Sequence, residues 1–184
     1  MLFVAGAVTW TVVLTSSSSA QTQACTPPAP SGSVLDRGAL DETRGAAPGD
    51  VRVTVLNGAG QRGQGQLVAV ELSELGMPEA APPDNDPLYP NQDLTCVGQI
   101  RFGPSGAAAA RTLSLVVPCA ELVQDARPTD DVGIALGSDF REIAPGQAVT
   151  EALQGLARSA SDGQPAPGTD PASLTAVRDV DCAS

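Results

Sequence analysis

Three glycines in the segment Asn57-Gly58-Ala59-Gly60-Gln61-Arg62-Gly63 stand at the spacing G-x-G-x-x-G, between a β-branched run and a helical pattern. In dinucleotide-binding folds that spacing lets the backbone approach a pyrophosphate at a helix N-terminus. Glu79 lies where the same fingerprint places an acid for the ribose. Two considerations oppose this reading: the domain is too short for a six-stranded sheet, and an exported compartment holds little nicotinamide cofactor. A tight strand-to-helix turn explains the same glycines. No cofactor is expected, and Asn57, Gly58, Gly60 and Gly63 remain a candidate contact for a partner or an anion.

Carboxylates offer the next chemistry. Asp84 and Asp86 lie two apart, so in an extended segment they share a face, as a hydrolytic or calcium-binding pair would. A calcium loop needs an acid at its twelfth position, and that position here is Thr95. The flanking prolines make solvated loop residues the better reading. Asp130-Asp131 precedes a strand and reads as a turn. No catalytic residue and no metal site is assigned.

The inventory of basic groups removes further classes. The chain carries 21 acidic residues against ten basic ones, for a net charge of -11, and all ten are arginine. Without histidine or lysine a serine nucleophile has no ordinary base, a phosphate-binding loop lacks its lysine, and a zinc site lacks its imidazole. The acidic balance also argues against nucleic acid, whose phosphates attract clustered basic residues. Beyond residue 20 the aromatics are Tyr89, Phe102 and Phe140, and the two phenylalanines read as core. Sugar recognition by ring stacking is therefore not expected, whereas polar contact with glycan or peptide stays open.

Cys25, Cys96, Cys119 and Cys182 are widely spaced and include no C-x-x-C pair, which suits two disulfides better than a metal site. Disulfides require an oxidising compartment. The N-terminus agrees. Residues 1–15, MLFVAGAVTWTVVLT, are apolar and uncharged. At about 1.5 Å per residue they fall short of a bilayer core of roughly 30 Å. They predict either a signal segment cut after Ala20 or, as favoured, the outer end of a longer membrane anchor.

Residues 21–50 are rich in proline and glycine and read as an extracytoplasmic stalk. Residues 34–44 predict one short helix within it. From 51 to 141 the pattern becomes that of a folded α/β domain. VRVTVL (51–56) reads as a strand, and Val68, Leu72 and Leu75 mark a helix closed by Gly76. Residues 78–92 allow one short edge strand, and VGQIRFG (97–103) reads as another strand. Ser105 is placed to cap a helix through Ala109, Leu113 and Val116, stopped by Pro118. Strands near 119–124 and 131–140 follow. The order is β-α-β-β-α-β-β, a small sheet-and-helix sandwich. Residues 142–184 predict a helical extension: one amphipathic helix through Val149, Leu153 and Leu156, a linker, and a short helix started by Asp170-Pro171.

This order bears on the cysteines. A strand-helix-strand crossover makes its strands parallel, so the positions just before each, Cys96 and Cys119, lie at one edge. Four cysteines allow three connectivities. The favoured one pairs Cys96 with Cys119 and, by elimination, Cys25 with Cys182.

VTVLNGAGQRGQG, VAVELSELGM, QIRFGPSGAAAARTL and GIALGSDF, in this order and spacing, resemble the LytR C-terminal domain family. That family shows a V-x-V-L-N-G strand and turn, an R-[YF]-G strand end, an alanine-rich helix and a closing L-G-x-D-F. The resemblance covers roughly residues 51–140 and implies a single-pass membrane protein with an extracytoplasmic domain that supports the cell envelope. The phosphotransferase domain found beside this module in larger relatives is absent, so its chemistry does not transfer. The expectation is a non-enzymatic, membrane-tethered protein that binds an envelope protein or a cell-wall glycan. The alternative is an accessory module holding a glycopolymer or polyprenyl-phosphate substrate for a separate transferase.

Overall fold

A computed structural model describes Cys25 and residues 32–182. The expected membrane segment, residues 1–20, lies outside the described residues. Among those described, no helix is long and apolar enough to cross a membrane.

Ten elements follow in chain order. Strand β1 is Ser33–Leu35, β2 Val53–Asn57, helix α1 Gln64–Glu74, β3 Glu79–Asn85, β4 Gly98–Phe102, α2 Ala107–Val116, β5 Glu121–Gln124, β6 Val132–Leu136, α3 Gln147–Asp162 and α4 Pro171–Arg178. Between β2 and β6 the order is the expected β-α-β-β-α-β-β. The sheet nevertheless has six strands, in the order β1-β5-β4-β6-β2-β3, because the stalk region supplies β1. Residues 34–44 are thus not a helix. Leu35 pairs antiparallel with Leu122 of β5, and Leu40, in the turn that follows, is buried. The free edge of β5 gives Val34 and Leu35 backbone partners that local sequence could not announce. The sheet is mixed: β2 runs parallel to β3 and β6, and β4 parallel to β5 but antiparallel to β6.

Strand alternation assigns the two faces. Val53, Val55, Ile100, Phe102, Val132 and Ile134 point to one side. There they form one apolar core with Val68, Ala69 and Leu72 of α1 and with Ala110 and Leu113 of α2. Helix α2 is buried around its whole circumference, since Leu115 on its outer side packs with Ala152 and Leu156 of α3 and Leu174 of α4. Layering therefore runs sheet, then α1 and α2, then α3 and α4 over α2. An alanine-rich segment suits the middle layer because small side chains let two neighbours approach a helix closely.

Two helix ends follow the local chemistry expected of them, and one does not. Gly76 (φ +84°) ends α1 in a Schellman motif, with its N–H on the Ser73 carbonyl and the Met77 N–H on that of Leu72. Asp170 caps α4 by accepting from the Ser173 N–H, with Pro171 in the first turn. Ser105 does not cap α2. It lies inside a 3-10 turn, Pro104–Gly106, and α2 starts after it without a side-chain cap.

The disulfides also differ from expectation. Cys25 joins Cys96, and Cys119 joins Cys182. β4 and β5 are indeed parallel neighbours, with Gln99 across from Glu121. Continuing that register sets Cys119 opposite Val97 rather than Cys96. In an extended chain a one-residue stagger sends two side chains to opposite faces. Cys96 packs with Tyr89, Leu94 and Ala135 on the face away from the helices, where Cys25 meets it. Cys119, in the turn leaving α2, meets the C-terminal tail.

Candidate functional site

Where β2 gives way to α1, Asn57 organises the turn. Its Oδ1 accepts from the N–H groups of Ala59 (3.2 Å) and Gly60 (3.0 Å), and its Nδ2 donates to the Gln61 carbonyl at 3.0 Å. An amide that bonds three backbone groups of its own loop fixes that loop's shape. Gly60 adopts φ +72°, and a Cβ there would stand 2.6 Å from Gln92 Oε1. The positive φ thus calls for glycine at Gly60, while the Gln92 amide, at the end of a flexible side chain, can swing aside. Gly63 precedes α1, and no side chain caps the helix. Gly58 plays another part: its N–H donates to the Leu136 carbonyl, its carbonyl accepts from the Leu94 N–H, and a Cβ would meet Leu94 at 2.8 Å.

These residues open onto a cleft of about 440 Å³ lined by Asn57, Gly60, Arg62, Gly63, Asp84 and Gln92 among others. Three of the four residues singled out in the turn line it, and Gly58 instead lies beneath, packing the turn onto the sheet. The other wall was not foreseen. Asp84 and Asn85 end β3, where Asp84 pairs in register with Leu56, and Gln92 Nε2 donates to Asn85 Oδ1 at 3.2 Å. Glu79, the acid suggested by the glycine fingerprint, sits across from Val53 at the far end of the strand pair. Arg62, exposed and without an ion pair among the described residues, was legible only as a lone cation within the turn. The cleft thus carries guanidinium, carboxylate and amide groups, a set suited to hydroxyl and amide partners. Six strands are present after all. Their mixed directions, however, are not those of the parallel dinucleotide-binding sheet.

A buried polar network holds the carboxylate wall in place. Asp86, two residues past Asp84, is 1% exposed rather than solvated. Its carboxylate receives Arg101 Nη1 at 2.9 Å and Nη2 at 2.7 Å, a bidentate pair in the interior. Arg101 also donates to Gln99 Oε1 at 2.7 Å and lies 5.7 Å from the centroid of the Tyr89 ring. Gln99 in turn donates to Glu121 Oε2 at 2.8 Å. Burial pushes the Tyr89 hydroxyl above its ordinary pKa, with the Arg101 charge partly offsetting this. Because the Asp86 N–H donates to the Asn57 carbonyl, the ion pair is tied directly to the cleft's other wall.

On the same side of the sheet Arg127 grips Asp125, with Nη2 on Oδ2 at 2.7 Å, and reaches Asp131 at 3.3 Å. Burial alone would raise the Asp125 carboxyl, but the hydrogen bonds from Arg127 outweigh it and hold the group below its usual value. Asp131 is therefore an ion-pair partner, just after the bend at Thr129 and Asp130. The three aromatics Tyr89, Phe102 and Phe140 are all buried, so none presents a ring to a sugar. Among the described residues no cluster of histidine, cysteine or carboxylate could hold a metal ion.

Residues 50–140 match the family described as LytR cell envelope-related transcriptional attenuator. The chain is 37% identical over 192 residues to the cell envelope integrity protein Cei of Mycobacterium tuberculosis, an alignment covering 98% of this chain and 85% of that protein. Among solved structures it is similar to the soluble domain of a conserved hypothetical secreted protein from Mycobacterium marinum. That match has a TM-score of 0.71 and 35% identity, covering 84% of this chain and 98% of the other. With residues 50–140 matching the family model and a 37% identical relative aligned over 98% of this chain, this chain belongs to the LytR C-terminal family.

Proposed function

We propose that this protein is a non-enzymatic, membrane-tethered component of the cell envelope that supports its integrity by binding a cell-wall or protein partner at the β2–α1 cleft. One observation carries the reading: an open polar cleft held rigid from below by a buried Arg101–Asp86 pair. Such a cleft binds by hydrogen bonds to hydroxyl and amide groups. The absence of histidine and lysine from the sequence leaves a nucleophile no ordinary base, which favours binding over turnover. The match to Cei supports the envelope role, and the two disulfides support an extracytoplasmic address.

The second reading, an accessory module holding glycopolymer or polyprenyl phosphate for a transferase, draws on the same cleft. A chain of net charge -11 repels anionic polymers at long range, so a neutral glycan or a protein fits better. The full chain, immobilised, is offered purified peptidoglycan and, separately, detergent-solubilised envelope proteins. Retention of either that falls at least tenfold in the double variant Arg62→Ala/Asp84→Ala, with an unchanged circular dichroism spectrum, is the expected result. Equal retention by both chains would remove the cleft from the function.

A further inference from the structure

Far from the cleft, a second group of charges is not balanced. Arg111 of α2 and Arg178 of α4 are 0% and 4% exposed, and Arg37 lies beside them in the turn after β1. Among the described residues one carboxylate ion-pairs with the two buried ones. Asp41 stands 3.2 Å from Arg111 Nη1 and 3.7 Å from Arg178 Nη1, and its side chain is 32% exposed. Arg37 donates to the carbonyls of Arg178 and Val180 and adds charge without an acidic partner among the described residues.

The donor count points the same way. Arg111 Nη2 is taken by Thr175 Oγ1 at 2.7 Å, and Arg178 Nη1 by the Arg37 carbonyl. Arg178 Nε and Nη2 are buried and have no hydrogen-bond partner among the described residues, and Arg111 Nε is in the same position. Nε and Nη2 form one edge of a guanidinium, the fork that receives both oxygens of a carboxylate or two of a phosphate. A buried cation left with an empty fork is costly unless an anion fills it. Burial, with the charges of Arg37 and Arg111, lowers the Arg178 pKa to about 10, so the group stays charged at neutral pH and cannot escape by losing its proton.

We infer that the Arg37, Arg111 and Arg178 guanidiniums form an oxyanion site of the phosphate or carboxylate class, entered from the solvent-facing side of Asp41. The site joins the turn after β1 to α2 and α4. Its occupant therefore fastens the N-terminal part of the chain to the C-terminal helix.

Melting of the full, disulfide-intact chain is followed by circular dichroism at pH 7 in sodium chloride, phosphate and acetate at matched ionic strength. A saturable rise of about 3–5 °C at ten times the dissociation constant, in phosphate or acetate and absent in chloride, is expected. Whichever salt acts identifies the class of oxyanion. Arg178→Met should melt identically in all three salts. Asp41→Asn should melt lower than the parent in chloride and recover in the active salt, because the added anion takes the place of the lost carboxylate. Identical melting of the parent chain in all three salts would show that water alone fills the fork and overturn the assignment. So would a salt response that survives in Arg178→Met.

Discussion

Arg101 sits in the middle of β4 with Ile100 and Phe102 on either side, so its side chain leaves the sheet on the face away from α1 and α2. On an ordinary two-layer sheet that face would be wet. Here Arg101 is 3% exposed and its partner Asp86 1%. Removing one member of a buried pair strands the other as an uncompensated charge, whereas removing both does not. Asp86→Ala should therefore cost about 3–5 kcal/mol in denaturant unfolding, and Asp86→Leu/Arg101→Met should be substantially more stable than that single variant. If Asp86→Ala unfolds within about 0.5 kcal/mol of the parent, the pair does not hold the cleft wall. Nothing local in the sequence revealed this pair. A carboxylate between prolines reads as a loop residue, and Asp86 is buried only because β3 returns its chain beneath the end of β2, where the Asp86 N–H meets the Asn57 carbonyl.

At the scale of elements, the glycines of the family pattern mark where backbones pass close together. A Cβ at Gly103, just after β4, would lie 2.0 Å from the Arg127 carbonyl, and one at Gly137, just after β6, 1.9 Å from the Cys96 carbonyl. Neither contact can be relieved by a side-chain rotation, because the atom met is backbone. Gly49 has open space around it. Gly103→Ala and Gly137→Ala should each lose about 2–3 kcal/mol, while Gly49→Ala should stay within about 0.5 kcal/mol of the parent. Equal stability in all three variants, by urea unfolding, would contradict these close approaches. Elements of this kind were the most legible part of the chain. Val68, Leu72 and Leu75 repeat with the helical period, and Val132, Ile134 and Leu136 with the strand period, so periodicity located both α1 and β6. β1 was not legible, since three residues carry no period and become a strand only through the distant edge of β5. The cleft was half legible: its glycine turn is a local motif, but Asp84 and Gln92 reach it through β3 and the loop beyond.

For the molecule as a whole, the cysteine pairing sets which parts separate first. Cys25–Cys96 ties residues ahead of β1 to the far face of the sheet, and Cys119–Cys182 ties the tail after α4 to the turn between α2 and β5. Both bridges thus fasten a terminal segment to the interior of the sheet-and-helix unit. The bridged cysteines are 71 and 63 residues apart in sequence, so the chain-entropy argument assigns each about 4 kcal/mol as an upper figure. Their local consequences differ. α4 contributes Leu174 to the outer core and Arg178 to the arginine cluster, and a helix of eight residues is too short to persist alone. Cys119→Ser/Cys182→Ser should therefore speed amide hydrogen exchange across residues 171–178 well before the sheet opens, while Cys25→Ser/Cys96→Ser should leave α4 protected. If the first variant exchanges α4 and the sheet at one common rate, the tail is cooperative with the core and the bridge acts only on global stability. Unequal protection would instead show that the C-terminal helix is a separately anchored flap over α2, held at its C-terminal end by both the Cys119–Cys182 bridge and the Arg178 contacts.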